Sequence, residues 1–337
     1  MFGSDAVRKT AYRHHVPCSP ISPRASAQET WRTKATLSAF PKSEDIIIAP
    51  QITIEDVFAS VQSSSAYRGV VPFENSSNGS VVFTLDLFAD LQRKYPDILV
   101  CGESYVAVRH CLLGYAPPLP TVAAEQEFSQ SAKPLRDLSK VKILYSHPQA
   151  WGQCKNFLNT YLKNCERRDV SSTSKAAELV AQDMTGESAA LSSIIAADMF
   201  GLDVLGKSIN DRVGNTTRFL VIRRKDRGEE DADGEQIIRS EHKDWKSLVT
   251  FTVDHANPGA LAHCLAAFEL YGLNLTSINT RPSGVQNWNY IFFVEFKGKK
   301  EESNEECAVN KALNKLDEVC RGWRWLGSWE NRLENVQ

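Results

Sequence analysis

Two spacings of apolar residues alternate along this chain, and the change from one to the other recurs at corners rich in small polar side chains. Thr53-Ile54-Glu55-Asp56 predicts a capping-box helix start, with Ile54, Val57, Phe58 and Val61 on one face. Gly69 to Val71 predicts a strand that runs into Asn75 to Ser80, after which Val81, Leu85, Phe88 and Leu91 return to helical spacing. Val141 to Tyr145 predicts another strand, Ser146-His147-Pro148-Gln149-Ala150 a corner, and Cys154, Phe157, Leu158 and Leu162 a helix. Asp169-Val170 leads through Ser171-Ser172-Thr173 into a helix carrying Ala176, Ala177 and Val180. One such corner alone reads equally as an Asx/Ser-rich cap. Three of them match the way α/β sheets bind ligands at the carboxyl ends of their strands, where first-turn amides suit an anion.

Around these corners the pattern predicts a helix near Thr36 to Phe40, a strand at Ile46-Ile47-Ile48 and an apolar, β-rich stretch from Gly102 to Leu113. Tyr115 to Pro120 reads as a crossing into a second lobe, and Ala189 to Leu205 as the return. Asp226 to Asp233 is acidic and contains glycine, as a solvated linker would. Beyond it, Leu248 to Val253 alternates as a strand, Asn257-Pro258-Gly259 starts a helix bearing Leu261, Cys264, Leu265 and Phe268, and two strands, a helix and a strand follow. That order is βαββαβ, a small ferredoxin-like sandwich.

Composition narrows the function classes. The chain has 337 residues, 42% of them hydrophobic, and a formal charge of -2, which gives no footing for nucleic acid. No apolar run is long enough to span a bilayer, and the first residues lack the apolar core of a signal peptide, so a cytoplasmic protein is expected. Eight scattered cysteines without a Cys-x-x-Cys pair fit free thiols in a reducing compartment, with no metal and no cofactor. Residues 1 to 30, rich in Arg, Ser, Pro and His, are expected to be disordered or wrongly assigned.

Over residues 35 to 330 the chain resembles prephenate dehydratases with a C-terminal ACT regulatory domain. The resemblance rests on Thr53 to Phe58, Gly69 to Val81, Arg109-His110-Cys111-Leu112, Ser146 to Ala150 and Asn215-Thr216-Thr217-Arg218-Phe219, in that family's order. Pro258-Gly259-Ala260-Leu261 and Arg281-Pro282 resemble its regulatory part. The implied fold is α/β: a two-lobed, doubly wound, periplasmic-binding-protein-like catalytic domain over residues 31–225, then a linker over 226–244 and the ACT domain over 245–332. Lobe one is expected at 31–114 and 206–225, and lobe two at 115–205. The implied activity is that of a hydro-lyase that converts prephenate to phenylpyruvate in phenylalanine synthesis. Phenylalanine is the implied feedback effector, and a homodimer through paired ACT domains the implied assembly.

Prephenate carries two carboxylates and a ring hydroxyl, and it loses carbon dioxide and water as the ring becomes aromatic. The enzyme therefore needs anion sites and a donor to the departing hydroxyl. By the resemblance Thr217 is that catalytic group, as a positioned donor or proton relay; as an isolated residue it reads first as a strand threonine bonded to backbone. Asn75, Ser76, Ser80, Gln149, Ser172 and Thr173 are candidates for neutral contacts to substrate, and His147 is expected to orient its corner. Arg218 can pair a substrate carboxylate or alternate outward to a neighbouring acid. Asn257, Gly259, Ala260, Leu261, Asn279 and Arg281 are the effector candidates, although Asn279-Thr280 stands where the family carries Glu-Ser.

The front departs from the family. No strand or glycine loop is visible over residues 20–34, and loss of an inner strand should cost several kcal/mol. A faulty or alternative N-terminus and crippled activity are therefore expected. Arogenate dehydratase and a silent amino-acid-binding protein are the alternative readings.

Overall fold

The computed structural model describes residues 35–36, 38–40, 47–116, 133–183, 185–212, 214–227 and 244–333. The expectations for the N-terminus, for most of the acidic linker and for residues 117–120 of the proposed crossing lie outside them. Among the described residues no helix is long and apolar enough to cross a membrane.

Three sheets organise the chain. The first runs β2-β1-β9-β3, from β1 (Gly69–Asn75), β2 (Gly79–Ser80), β3 (Ile98–Ala107) and β9 (Thr216–Arg224), with β9 antiparallel to both β1 and β3. Helix α1 (Ile54–Gln62) starts as its sequence predicts: Asp56 N donates to Thr53 Oγ1 at 3.0 Å and Thr53 N to Asp56 Oδ2 at 2.9 Å. Its Phe58 and Val61 are fully buried. Helix α2 (Val82–Ala89) is shorter than expected, because Asp90 turns left-handed after it and Leu91 leaves the stripe for the surface. Ile47 and Ile48, expected in a strand, join no ladder among the described residues, since a strand needs a neighbour to take up its backbone groups.

The second sheet runs β6-β5-β7-β4-β8. It is formed by β4 (Cys111–Gly114), β5 (Ile143–Ser146), β6 (Glu166–Asp169), β7 (Ser188–Ser192) and β8 (Asp203–Gly206). Strands β6, β5 and β7 are parallel, so the segments after their carboxyl ends share one edge. Helices α3 (Pro148–Gln153) and α4 (Lys155–Tyr161) cover one face, and α5 (Thr173–Gln182) and α6 (Ile194–Phe200) the other. The lobe boundaries move accordingly. Cys111 to Gly114 and Gly206, assigned to lobe one from sequence, pair inside the second sheet, so the chain crosses at 108–110 and returns at 207–215. Hydrophobicity alone could not place this crossing, because β3 and β4 are similarly apolar and only their partners differ.

The third sheet runs β11-β12-β10-β13 and is antiparallel, the order expected of βαββαβ. Its strands are β10 (Trp245–Thr252), β11 (Leu275–Pro282), β12 (Tyr290–Lys297) and β13 (Gly322–Glu330), with α7 (Ala260–Glu269) and α8 (Ala308–Val319) on one face. Strand β10 is buried at six successive positions, more than one-sided alternation can hide. The reason is that its other face is also covered: Leu248, Ile291, Phe293, Leu326 and Trp329 form one core with Phe58, Phe73, Phe88, Val100 and Leu220 of the first lobe.

Gly327 is where this stacking is tightest. Its φ is +136° and a Cβ there would lie 2.0 Å from the Val100 carbonyl oxygen. Gly327→Ala is expected to destabilise the chain at the upper end of the about 1–3 kcal/mol typical of overpacking, because a backbone atom cannot rotate aside. Gly102→Ala, whose Cβ would meet Val221 at 3.4 Å, is the control expected to be far milder. Denaturant unfolding of both checks this; equal midpoints would contradict the close approach.

Candidate active site

Asn75 ends β1, and its side chain is oriented by its own turn. Ser77 N and Asn78 N both donate to Asn75 Oδ1 at 3.0 Å. This Asx turn also corrects the expected anion corner, since those amides are satisfied within the hairpin and the helix begins only at Val82. With Oδ1 committed, Nδ2 faces the sheet interior and donates to Thr217 Oγ1 and to Asn215 Oδ1, each at 3.0 Å. Thr217 is in register with Asn75 on one side and Val106 on the other. Its hydroxyl oxygen accepts from Asn75, so its own hydrogen remains to be donated elsewhere.

The network continues into the second lobe. Asn215 Nδ2 donates to Gln153 Oε1 at 3.3 Å, and His110 Nε2 lies 2.8 Å from the same oxygen. Burial depresses the His110 pKa, which the bond to Gln153 only partly offsets. The ring is therefore neutral near pH 7, and because Gln153 Oε1 can only accept, His110 carries its hydrogen on Nε2. Both inter-lobe crossings are thus tied to α3 by neutral groups, next to Thr217. Sequence reasoning missed Asn215, Gln153 and His110 as site residues. A signal existed: Gln149 and Gln153 are four apart and share one helix face.

The other predicted residues fall differently. Ser76 Oγ accepts from Thr216 N at 3.0 Å, which staples the hairpin to the second crossing. Gln149 is exposed after β5 and Thr173 half-buried after β6, on the sheet edge that also holds His110, and neither bonds to Asn75 or Thr217. Ser172 Oγ accepts from Lys175 N at 3.1 Å, as a helix cap. His147 Nδ1 likewise accepts from Gln149 N, the orienting role expected of it.

Arg218 and Ser80 require correction. Strand alternation sends Arg218 to the sheet face opposite Thr217. There it bonds Glu103 through Nε at 2.9 Å and pairs with Glu295 of the third sheet. Burial works against its charge, yet Glu295 and Glu103 outweigh it and hold the guanidinium ionised. It is therefore committed to a domain contact and leaves the substrate-binding set. Ser80 hydrogen-bonds Asn279 Oδ1, and Arg281 pairs with Asp86 of α2 at 2.5 and 3.1 Å, so these two effector candidates also touch the first lobe. Asn257 is exposed, Gly259 turns at φ +82°, Ala260 is buried and Leu261 half-buried at the start of α7.

The arrangement offers a hydroxyl beside the inter-lobe crossings, positioned by the Asn75 amide, with no charged group bonded to it among the described residues. The prephenate dehydratase family model matches residues 27–227. A probable prephenate dehydratase of Saccharomyces cerevisiae is 31% identical over 86% of this chain and 91% of its own length. The structure of prephenate dehydratase in complex with L-Phe from Arthrobacter aurescens superposes with a TM-score of 0.69 at 27% identity, covering 92% of this chain and 89% of that one. GqqA, a quorum quenching acylase, reaches a TM-score of 0.67 at 22% identity over 91% of this chain and 96% of its own, a likeness of fold alone. On the strength of the family model and the sequence relatives, this chain belongs to the prephenate dehydratase family.

Proposed function

We propose that this chain converts prephenate to phenylpyruvate, with Thr217 as the donor to the departing hydroxyl. One observation carries the reading: Asn75 donates to Thr217 Oγ1, so the threonine proton is left to point at a ligand between the lobes. In the reaction the ring carboxylate leaves as carbon dioxide and its bonding electrons enter the ring. The hydroxyl leaves with the proton relayed through Thr217, as water. Gln149 and Thr173, across the crossings, supply neutral contacts to the substrate. Phenylpyruvate formation by the purified chain is the test. No turnover of prephenate would overturn the reading, and faster turnover of arogenate would assign the amino-acid substrate instead.

The third sheet with its two helices is an ACT regulatory domain in this reading, and phenylalanine its effector, bound at the Asn257 to Leu261 turn in a homodimer. The complex of the Arthrobacter enzyme with L-Phe supports this. So do the contacts Asn279–Ser80 and Arg281–Asp86, which would carry a change in β11 to the hairpin that holds Asn75. A coupling of about 1–3 kcal/mol suffices for feedback. Millimolar phenylalanine should inhibit turnover and raise the thermal midpoint; no effect on either would remove the sensing role.

A further inference from the structure

With Arg218 turned away, the two carboxylates of the substrate need another partner, and a hollow of about 410 Å³ lies one strand from Thr217. Val106, its wall in the first lobe, is the register partner of Thr217 on β3. Paired residues of neighbouring strands present their side chains on the same face, about 5 Å apart. The hollow is bounded on the other side by the two crossings and the second lobe, through Arg109, Lys207, Ser208, Ser193 and Ile195. Its described lining holds two cations and no carboxylate. Cys111 lines it too: burial pushes that thiol up, and the charges of Lys207 and Arg109 oppose the rise. The Ser193 hydroxyl makes no helix-capping bond and so is not committed to one.

This distribution matches the shape of the substrate. Prephenate has its hydroxyl at one ring carbon, and both anionic arms on the carbon across the ring. A molecule whose hydroxyl reaches Thr217 therefore needs positive charge on the far side of an apolar six-membered ring. Val106 and Ile195 offer the apolar contact and Arg109 and Lys207 the charge.

The geometry points to Arg109 and Lys207 as the residues that bind the carboxylates of the substrate, in the hollow beside Thr217. The assignment rests on the dehydratase reading and deepens it. It also carries a specificity consequence. Arogenate bears an ammonium on one arm, so two cations disfavour it relative to the dianion.

The test is Arg109→Gln and Lys207→Met, with Arg109→Lys and Lys207→Arg as conservative partners, in steady-state kinetics and calorimetric titration of prephenate. Each neutral variant is expected to raise KM and Kd for prephenate by about tenfold, as loss of a charge-assisted bond does, with kcat within threefold of the parent. The conservative variants should recover most of the affinity, and the double neutral variant should lose preference over arogenate. Unchanged KM and Kd in an active parent would overturn the assignment alone, as would a fall in kcat and thermal midpoint without a change in Kd. A parent that neither binds nor turns over prephenate would instead sink the dehydratase reading.

Discussion

Thr217→Val should lower kcat for phenylpyruvate formation by about 10²–10⁴-fold, the range of a positioned proton donor, while KM changes little. Valine keeps the branched shape that β9 accommodates, so the fold should hold. Asn75 Nδ2 would still donate to Asn215 Oδ1, with the Thr216 carbonyl at 3.3 Å. Only the hydroxyl is removed. Thr217→Ser, which retains it, is expected to keep most of the activity at some cost in orientation. Single-turnover kinetics with circular dichroism separates the two cases. Undiminished kcat in the valine variant would assign proton delivery to another group.

The second large effect concerns stability. Arg218→Met is expected to cost about 3–5 kcal/mol, because it breaks a buried ion cluster by removing one partner. In the parent, two cations face two buried carboxylates, with the more exposed Glu74 3.8 Å from Arg218 at the margin. Lys246 Nζ lies 3.4 Å from Glu103 and 3.6 Å from Glu295, and Arg218 bonds both acids. Glu103 is fully buried and Glu295 is 2% exposed. Methionine leaves these two acids with a single lysine, and desolvation then penalises the surplus charge. Further bonds, from Arg332 N to Glu103 at 2.8 Å and from Thr276 Oγ1 to Glu295 at 2.8 Å, fix the acids and prevent an easy escape to water.

Arg218→Met combined with Glu295→Gln restores charge balance, and part of the loss should return. Urea unfolding of the parent, both single variants and the double variant measures that coupling. A loss below about 1 kcal/mol in Arg218→Met would fit only an exposed, weakly paired arginine. Because Arg218 follows Thr217 directly in β9, the same cluster fixes the backbone that presents the Thr217 hydroxyl. Contact with the third sheet thus reaches the site by one peptide unit.

Much of this was legible along the chain. The Thr53-to-Asp56 cap, the corners after β5 and β6 and the βαββαβ order follow from local spacing, because turn chemistry and periodicity act over a few residues. The family motifs placed Asn75 and Thr217 in a single site before any contact was known. The lobe boundary was harder to read, since β4 is apolar whichever sheet it joins. Arg218 was undecided for a related reason: alternation says that it faces away from Thr217, and says nothing of what lies on that side.

What the sequence determined by itself was the set of elements, their order and the residue types available for dehydration. Only the tertiary structure decided which partners those residues meet. Asn75 and Thr217 are separated by 142 positions yet share a bond, and Arg218 reaches Glu295 across 77. Local propensity carries no information over such distances. It is the stacking of the third sheet on the first, sealed where Gly327 meets Val100, that buries Arg218, while strand alternation puts Thr217 on the opposite face, where Asn75 meets it.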